Sequence, residues 1–463
     1  MKIAKRNLSC IILIIVFAIG GFYGWQKYKV FMSAPTTRLA AGSYYPQMPP
    51  DDHHIYIQLP INHDDPTFGT FTDFYLLSPN FKPGGNIIFQ LYDNQQEMVG
   101  MIASTSDFKV FDNRIGNEMS YVLIGNRGVS PTLFPEVFNK DGSPNYALAL
   151  ELYGSNQQIE DIEAVRQDMV KRGLLSEDGK IMIYGGSGGG VLIQQYLDKY
   201  GEHVSRVLIE STGAMDLARK NNLTFAKKLY DSNPVAAEVY YKLYQKGKSS
   251  PSLAWMLFKI GLEGDTQLQI DILNGDNSSF DLRRKYLYVI NWFKLPQNFP
   301  LINLIFRFPQ ELEVKVRIWE VVGDDLIKYN PTSAKEINLM YESLKVLLSD
   351  FLEAYRKGEI KSFSCELDRS KYQGEVMVWA NTGDQDFGPH IARLISNAYP
   401  HSKLAVFEEK AHHVIRKSEF QLNFTKTFFE TGLYSQETQK YFDDNSRLVP
   451  QLNHTPITAQ PLP

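Results

Sequence analysis

A serine set among glycines is the feature of this sequence that most directly indicates chemistry. Ser187 is the third residue of the segment GGSGGG at 185–190, which follows the apolar run 181–184 and precedes a helical pattern. A Gly-x-Ser-x-Gly segment between a strand and a helix predicts a nucleophile elbow, whose strained turn leaves no room for larger neighbours. The turn points the N–H of Gly188 at a developing oxyanion, and the alternative is a serine that only caps the helix.

The same segment excludes two other uses of a glycine-rich loop. A dinucleotide-binding fingerprint requires glycine or alanine at the position of Val191, and a phosphate-binding Walker loop requires Gly-Lys-Ser/Thr, which this sequence lacks. The segment therefore favours a nucleophile over a phosphate cradle.

A nucleophilic serine needs a general base and a carboxylate that orients the base. In folds with a nucleophile elbow, these residues follow in the chain order serine, acid, histidine. Asp384 and Asp386 lie in the segment that follows the apolar run 376–379. Both are therefore candidates for the orienting acid, and an Asx turn is the alternative interpretation of each.

Two adjacent histidines are the candidates for the general base. His412 and His413 follow the apolar run 404–407, in a segment that reaches back toward the serine from the end of a strand. We expect His203 at the surface and His390 at the beginning of a helix. Surface polarity or adventitious metal binding is the alternative interpretation of the paired histidines.

The elements that must position these residues are strands that alternate with helices. Apolar side chains at helical spacing predict an amphipathic helix over 157–172, with Val170 on its apolar side. The alternation over 55–209 indicates an α/β fold with a mostly parallel sheet covered by helices. From 215 to 372, long amphipathic stretches replace the strand pattern and predict a large helical insertion before the acid-bearing strand.

The chain is accordingly expected to have five parts. Residues 1–34 form an N-terminal signal anchor or signal peptide, and 441–463 form a loose C-terminal tail. The first part of the core, with the elbow, spans 35–214. The helical cap or lid spans 215–373, and the second part of the core, with the acid and the histidine, spans 374–440.

Composition excludes several classes of protein. Of the 463 residues, 43% are hydrophobic and 22% are charged, which is typical of a folded globular protein and not of a disordered or polytopic membrane protein. The net charge of −4 provides no basic excess, which argues against nucleic-acid binding. Cys10 and Cys365 are too few for a disulfide framework or a cysteine-rich metal site. The sequence contains no cofactor motif.

The first thirty residues have the pattern of an export signal. Basic residues precede an uncharged apolar run at 8–25, and Lys27 and Lys29 follow it. A run of this length is sufficient to cross a bilayer, which predicts a membrane partner and a location at the outer, periplasmic face of a bacterial inner membrane. A secreted protein is expected if the segment is cleaved, and a buried N-terminal helix is the alternative.

Several stretches resemble the α/β-hydrolase superfamily, and within it the serine hydrolases related to proline iminopeptidase and tripeptidyl aminopeptidase. The resemblance covers 55–215 and 374–432. It is carried by the elbow with its QYL…EHVSRV continuation at 195–207, the D-x-E-x-x-R helix at 161–166, the strand YVLIGNRG at 121–128, the loop Gly383-x-x-Asp386, and Ala411-His412 in place of Gly-His.

This resemblance implies a triad of Ser187, Asp386 and His412, in which Asp386 is preferred to Asp384 and His412 is preferred to His413. It implies a serine hydrolase, in particular a peptidase of the proline iminopeptidase or aminopeptidase type. A carboxylesterase or lipase is the alternative among enzymes. A non-catalytic binding protein with the hydrolase fold is the alternative outside them.

The oxyanion loop is where the sequence departs from this family. Family members carry His-Gly-Gly-Pro-Gly after the third strand, whereas the run 87–89 here leads into QLYDNQ. We therefore expect the oxyanion to be bound by Gly188 and by a main-chain N–H of Leu91 or Tyr92.

The expected substrate is a small molecule or a peptide. An aminopeptidase needs carboxylates that hold the ammonium group of its substrate, and the insertion offers Glu238, Glu263 and Asp265 for this purpose. Solvated faces of helices are the alternative interpretation of these acids.

Overall fold

An eight-stranded sheet forms the centre of the part of the chain that the structure describes. This computed structural model describes residues 53–92, 108–127, 134–275, 312–408, 412 and 419–444. The strands are β1 (His54–Pro60), β2 (Thr70–Leu77), β3 (Ile87–Gln90), β4 (Ser120–Ile124), β5 (Ile181–Gly186), β6 (Val204–Glu210), β7 (Glu375–Asn381) and β8 (Ser402–Phe407).

The strands of this sheet lie in the order β1-β2-β4-β3-β5-β6-β7-β8. β2 runs antiparallel to its neighbours β1 and β4, and all the other neighbouring pairs are parallel. The strands from β3 to β8 therefore end at the same edge, where the loops that follow them meet. This confirms the predicted α/β fold with a mostly parallel sheet.

Helices cover both faces of the sheet. The α-helices are α1 (Lys109–Ile115), α2 (Tyr146–Tyr153), α3 (Ser155–Lys171), α4 (Gly188–Tyr200), α5 (Met215–Lys220), α6 (Leu229–Ser232), α7 (Pro234–Gln245), α8 (Pro251–Leu262), α9 (Thr266–Leu273), α10 (Leu312–Lys328), α11 (Leu339–Leu347), α12 (Ser349–Arg356), α13 (Pro389–Ala398), α14 (Glu419–Thr431) and α15 (Gln436–Asp444). Short 3₁₀ helices span Pro66–Phe68, Pro135–Val137, Gly201–His203, Ala334–Glu336 and Arg369–Lys371.

Strand β5 shows why helices are needed on both sides. Ile181 and Ile183 belong to an apolar cluster with residues of α3, α4 and α13. Met182 and Tyr184 belong to a second cluster with residues of α1 and α14. Because successive side chains of a strand point to opposite faces, four consecutive apolar residues are buried only between two layers of helices.

Helix α3 is the amphipathic helix that the spacing of its apolar residues predicts. Ile159, Ile162, Val165 and Met169 are buried against the sheet. The prediction is wrong for Val170, whose side chain is 38% exposed. One step along a helix turns the side chain by roughly 100°, which carries Val170 past the edge of the apolar stripe.

Helices α5 to α12, with the segments that connect them to each other and to the sheet, lie between β6 and β7, and we call this part of the chain the cap. It includes an apolar cluster of its own, built around residues such as Tyr240 and Leu257. A buried ion pair joins the two ends of the cap, since Arg369 donates to both carboxylate oxygens of Asp216 at 2.7 and 2.8 Å. Arg369 also donates to Oε1 of Gln194 on α4, so both ends of the cap are fixed to the helix after β5.

Among the described residues, no helix combines the length and the apolar character that crossing a membrane requires. This finding contradicts the predicted location at the outer face of a bacterial inner membrane or outside the cell. The segment 8–25, from which that location was inferred, lies outside the described residues. The boundaries expected for the five parts of the chain stay predictions.

Candidate active site

Ser187 lies on a sharp turn between β5 and α4. Its backbone angles are φ 51° and ψ −125°, and a non-glycine residue held in such a conformation costs roughly 1–3 kcal/mol. The N–H of Ser187 donates to the main-chain oxygen of Glu210 at 2.9 Å, which fixes the turn to the end of β6. The flanking residues are buried, whereas Ser187 is partly exposed at the carboxyl edge of the sheet.

Two of the glycines around this serine are required by close contacts. A Cβ atom on Gly185 would lie 2.9 Å from the main-chain oxygen of Leu91. A Cβ atom on Gly190 would lie 2.7 Å from Cβ of Thr212. Larger residues at these positions would force the strand, the elbow and the helix apart. The packing therefore explains two glycines of the segment that predicts the elbow.

Gly188 begins α4, and its N–H belongs to the first turn of that helix. The N–H groups of a first turn have no acceptor within the helix. The helix dipole places partial positive charge at the same end, and it stabilises a nearby anion by about 0.3–1 kcal/mol. Gly188 is therefore suited to bind an oxyanion that forms beside Ser187.

Leu91, the other predicted oxyanion donor, has a different role. Its N–H donates to the main-chain oxygen of Tyr184 at 2.9 Å. This bond extends the parallel pairing of β3 with β5 by one residue, so the prediction for Leu91 is wrong. Tyr92 is the next residue, and the segment 93–107 that follows it lies outside the described residues.

His412 and Asp384 form a buried hydrogen-bonded pair. Nδ1 of His412 lies 2.9 Å from Oδ2 of Asp384, and the two side chains are 8% and 0% exposed. The imidazole also packs against the ring of Phe387, with the ring centroids 5.8 Å apart. A carboxylate on Nδ1 fixes the tautomer and the orientation that leave Nε2 to act as a general base.

The surroundings of His412 favour its protonated form. Burial is the largest single influence and lowers the pKa of the imidazole, whereas the charge and the hydrogen bond of Asp384 raise it. Asp386 and Glu210 add negative charge, and the three carboxylates together raise the pKa of His412 above its ordinary value of 6.5. The imidazole is therefore prepared to take a proton.

Asp384 contacts the histidine, and Asp386 does not take that position. Oδ1 of Asp384 accepts the N–H of Asp386 at 2.8 Å and the N–H of Phe387 at 3.2 Å, while Oδ2 binds His412. The preference for Asp386, drawn from the Gly383-x-x-Asp386 spacing, is therefore corrected in favour of Asp384. One residue supplies both the Asx turn and the carboxylate that the sequence presents as alternatives.

Asp386 is a second buried carboxyl group near this pair. Burial raises the pKa of Asp386 to about 7, with Asp384 adding to the rise and with His412 and Lys259 opposing it. Its Oδ1 has no hydrogen-bond partner among the described residues. Close to neutral pH, this carboxyl group is therefore only partly ionised.

The other histidine candidates are placed as follows. His203 has a side chain that is 32% exposed and lies 3.7 Å from Glu202, in keeping with the predicted surface position. His390 is the second residue of α13, as predicted. His413 lies outside the described residues. In the described ranges, no group of three or more His, Cys, Asp or Glu residues is arranged to hold a metal ion.

Glu210 is a candidate that the sequence did not single out. It ends β6 beside the elbow, it is 5% exposed, and its Oε2 accepts the hydroxyl of Tyr184 at 2.6 Å. Its charge contributes to the raised pKa of His412. The sequence does contain a signal for Glu210, because this glutamate directly follows the apolar run 207–209. A residue at the end of a buried strand lies at the edge of the sheet where the site is.

Two of the motifs that carry the family resemblance consist of buried ion pairs. Arg127 donates to both oxygens of Asp161 at 2.6 Å, and Arg166 donates to both oxygens of Glu163 at 2.6 and 2.8 Å. Arg127 also donates to the main-chain oxygens of residues 61 and 152. The Arg127–Asp161 pair holds α3 against the loop after β4, whereas Arg166 pairs within α3 and donates to the main-chain oxygen of Gly179. Both pairs therefore stabilise the structure around the site.

The order of the candidate residues along the sheet decides the fold. The serine follows β5, the acid follows β7 and the histidine follows β8, all at the carboxyl edge of the same sheet. A strained strand–serine–helix turn with the chain order serine, acid, histidine is characteristic of one fold. The chain has the α/β-hydrolase fold.

Solved structures of α/β hydrolases and related enzymes resemble this chain at low sequence identity. An α/β hydrolase from a Medee basin deep-sea metagenome library is 12% identical with a TM-score of 0.38, over 79% of this chain and 97% of that chain. An esterase from Exiguobacterium antarcticum is 15% identical with a TM-score of 0.35, over 77% and 93%. A probable hydrolytic enzyme from Pseudomonas aeruginosa is 10% identical with a TM-score of 0.40, over 84% and 97%. No protein-family model and no curated protein matches the chain.

Proposed function

We propose that this protein is a serine hydrolase that acts by acyl transfer. The observation that carries the proposal is the buried pair of His412 and Asp384, which ends at the same sheet edge as the strained elbow at Ser187. Ser187 is the nucleophile, His412 is the general base and Asp384 is the acid that orients it. Each of these roles matches the position of the residue after its strand.

The reaction begins when Oγ of Ser187 attacks the carbonyl carbon of the substrate and Nε2 of His412 accepts the hydroxyl proton. The N–H of Gly188 and the main-chain N–H of Tyr92 bind the oxyanion. His412 then gives the proton to the leaving alcohol or amine, and an acyl-enzyme remains. Water, deprotonated by His412, releases the acid and restores the serine.

The charges around the site support this reaction. His412 becomes a cation as it takes the proton, and Asp384 lies 2.9 Å from that cation. The same carboxylates that raise the pKa of His412 therefore lower the energy of the transition state. Each oxyanion donor contributes roughly 3 kcal/mol in enzymes of this kind.

Two substrate classes, peptides and carboxylic esters, are compatible with this proposal. An aminopeptidase of the proline iminopeptidase type needs a carboxylate for the ammonium group of its substrate. Of the expected acids, Glu238 and Glu263 are exposed, and Asp265 accepts the N–H of Leu268 at 3.0 Å as the cap of α9. These positions do not favour a peptide over an ester, so hydrolysis of a carboxylic ester stands beside hydrolysis of a peptide.

Labelling with a fluorophosphonate probe tests the nucleophile directly. The full-length chain, Ser187→Ala and Ser211→Ala are treated side by side. Ser211 is the control, because it directly follows β6 as Ser187 directly follows β5, and because it also has a positive φ, of 44°. We expect labelling of the wild-type chain and of Ser211→Ala, with loss of labelling in Ser187→Ala.

The outcomes of this experiment separate the candidate functions. Absence of labelling in a well-folded wild-type chain would contradict the hydrolase and favour a binding protein with a hydrolase fold. If Ser187 is labelled, turnover of p-nitrophenyl esters is compared with turnover of proline p-nitroanilide and other aminoacyl anilides. Release of N-terminal residues without ester preference supports an aminopeptidase, and the reverse supports a carboxylesterase.

A further inference from the structure

Around the turn between α8 and α9, the cap contacts both the loop of Asp384 and His412. The main-chain N–H of His412 donates to the oxygen of Leu262, the last residue of α8, at 2.9 Å. The final carbonyl groups of a helix have no partner within the helix, so this bond satisfies one of them. The partial negative charge at that end also favours a protonated imidazole. The cap thus supports the base.

The acid loop is held at the same turn by a buried glutamine pair. Nε2 of Gln269 on α9 donates to Oε1 of Gln385 at 3.0 Å and to the oxygen of Leu257 at 2.8 Å. Oε1 of Gln269 accepts Nδ2 of Asn233 at 2.9 Å. Gln269 is fully buried and Gln385, which lies next to Asp384, is 9% exposed.

A glycine in α8 makes room for this pair. A Cβ atom on Gly261 would lie 2.2 Å from Oε1 of Gln385 and 2.9 Å from Nε2 of Gln269. Glycine in the interior of a helix is less favourable than alanine by roughly 0.5–1 kcal/mol, so a close approach is the reason to have one here. The helix is therefore shaped to receive the acid loop.

We propose that Gln269 is a positioning residue, which holds the acid loop through Gln385 against the same cap turn that holds His412. The proposal rests on the serine-hydrolase function argued above. Because Gln269 of α9 also donates to the oxygen of Leu257 on α8, both loops are bound to one pair of joined helices, and the cap thereby fixes the distance between Asp384 and His412. Lys227 strengthens this connection, since its N–H donates to the oxygen of Asp386 at 2.8 Å. The cap then positions the catalytic residues in addition to covering the substrate.

The test uses the full-length chain with Gln269→Met and Gln385→Met, singly and together. Methionine keeps the length of the side chain and removes the hydrogen bond. We expect kcat to fall by about 10- to 100-fold, as for a displacement of about 1 Å between reacting groups, with KM nearly unchanged. The double variant should lose no more than the worse single variant, because both act through one bond. Gln267→Met, on the exposed face of α9, is the matched control and should keep full activity.

A second variant covers the case in which the methionine variants fold poorly. Gly261→Ala favours the helix and displaces Oε1 of Gln385, so kcat should fall while the melting temperature is maintained. A variant that merely destabilised the cap would instead lower the melting temperature and raise KM.

An NMR titration of the His412 imidazole completes the test without needing turnover. Asp384, Asp386 and Glu210 are the charged groups that act on this ring, and loosening the contact with Asp384 should bring its pKa down toward the ordinary value. The His412→Gln variant assigns the signal. An unchanged titration and unchanged kcat in folded Gln269→Met and Gly261→Ala would overturn the inference. A wild-type chain that fails to label with fluorophosphonate sinks the proposed function, whereas the titration still decides the positioning role.

Discussion

Exchanging one oxygen for nitrogen at each of two neighbouring aspartates separates their roles. Asp384→Asn keeps Oδ1 for the N–H groups of Asp386 and Phe387, so the loop is preserved, and it replaces the oxygen that binds His412. Asp386→Asn changes a carboxyl group whose charge acts on His412, although Asp384 and not Asp386 binds Nδ1 of the imidazole. The two variants therefore differ in one contact.

The size of the expected loss follows from that contact. Two unit charges about 4 Å apart interact by about 4 kcal/mol at an effective dielectric constant of about 20. Since about 1.36 kcal/mol corresponds to a factor of ten, losing this stabilisation of the imidazolium lowers the rate by about 10³-fold. An asparagine also favours the wrong tautomer of the imidazole, which brings the expected loss for Asp384→Asn to about 10³–10⁴-fold.

Asp386→Asn should have a much smaller effect. The pKa of Asp386 is about 7, so its carboxyl group is largely neutral below neutral pH and carries its full charge only above it. We expect a loss of less than about tenfold, confined to the alkaline side of the profile, because an unpaired charge at longer range has little influence on the base. The assay is the second-order rate of fluorophosphonate labelling at pH 6 and pH 9, on chains whose circular dichroism matches the wild type. A loss in Asp386→Asn equal to or larger than the loss in Asp384→Asn would refute this assignment of the acid.

Two further predictions concern stability. Ser187→Gly should raise the free energy of unfolding by about 1 kcal/mol while it abolishes labelling, because glycine adopts the positive φ of the elbow without strain. Ser205→Gly, within strand β6, is the control and should lower the free energy of unfolding. Asp73→Asn should make the free energy of unfolding less dependent on pH. Burial and the charge of Asp161 raise the pKa of Asp73 to about 8. The carboxyl group of Asp73 therefore binds a proton more tightly in the folded state than in the unfolded state. The wild-type chain then loses stability as pH rises from about 4 to 8, by up to of the order of 5 kcal/mol from this group, and the variant does not.

Chemical denaturation at a series of pH values checks both stability predictions. Asp141→Asn, at an exposed position, is the control for Asp73→Asn and should leave the slope between pH 5 and pH 8 unchanged. A steeper slope in Asp73→Asn, or a Ser187→Gly chain that is less stable than the wild type, would contradict the respective reasoning.

The elbow could be predicted from sequence because its constraints are local. The turn lies within consecutive residues, so the positions at which Leu91 and Thr212 leave no room for a side chain appear in the sequence as closely spaced glycines. The candidate base could also be predicted, because the chain order requires a histidine after the acid. His412 and His413 are the histidines that come soon after the last apolar run, 404–407. His412 lies where this reasoning placed it, beside a carboxylate from the segment after β7.

The choice between Asp384 and Asp386 could not be made from sequence. Both follow the same strand, and the difference lies in which oxygen faces the histidine loop, a property of the tertiary arrangement. The role of Leu91 was missed for a related reason, because its N–H is needed to extend the pairing of β3 with β5. A short apolar run gives no signal for where the last hydrogen bond of a strand lies.

The contacts with the cap were the least predictable part of the site. Gln269 and Gln385 are 116 positions apart along the chain. Gln269 belongs to no recognisable motif, and Gln385 occupies a position of the Gly383-x-x-Asp386 loop at which the motif specifies no residue. A buried pair of glutamines has no distinctive spacing, since the residues between them belong to other helices. Only the structure shows that α8 and α9 of the insertion contact both His412 and the loop of Asp384.

The position of the cap also affects how the chain is made. β6 and β7 are neighbours in the sheet, yet the whole cap separates them along the chain. Ribosomes add roughly 5–20 residues per second, so the apolar edge of β6 waits on the order of ten seconds for its partner strand. An open edge of this kind pairs readily with other chains. The nascent protein is therefore most vulnerable to aggregation while the cap is being synthesised, and rapid folding of the cap or cover by a chaperone shortens that interval.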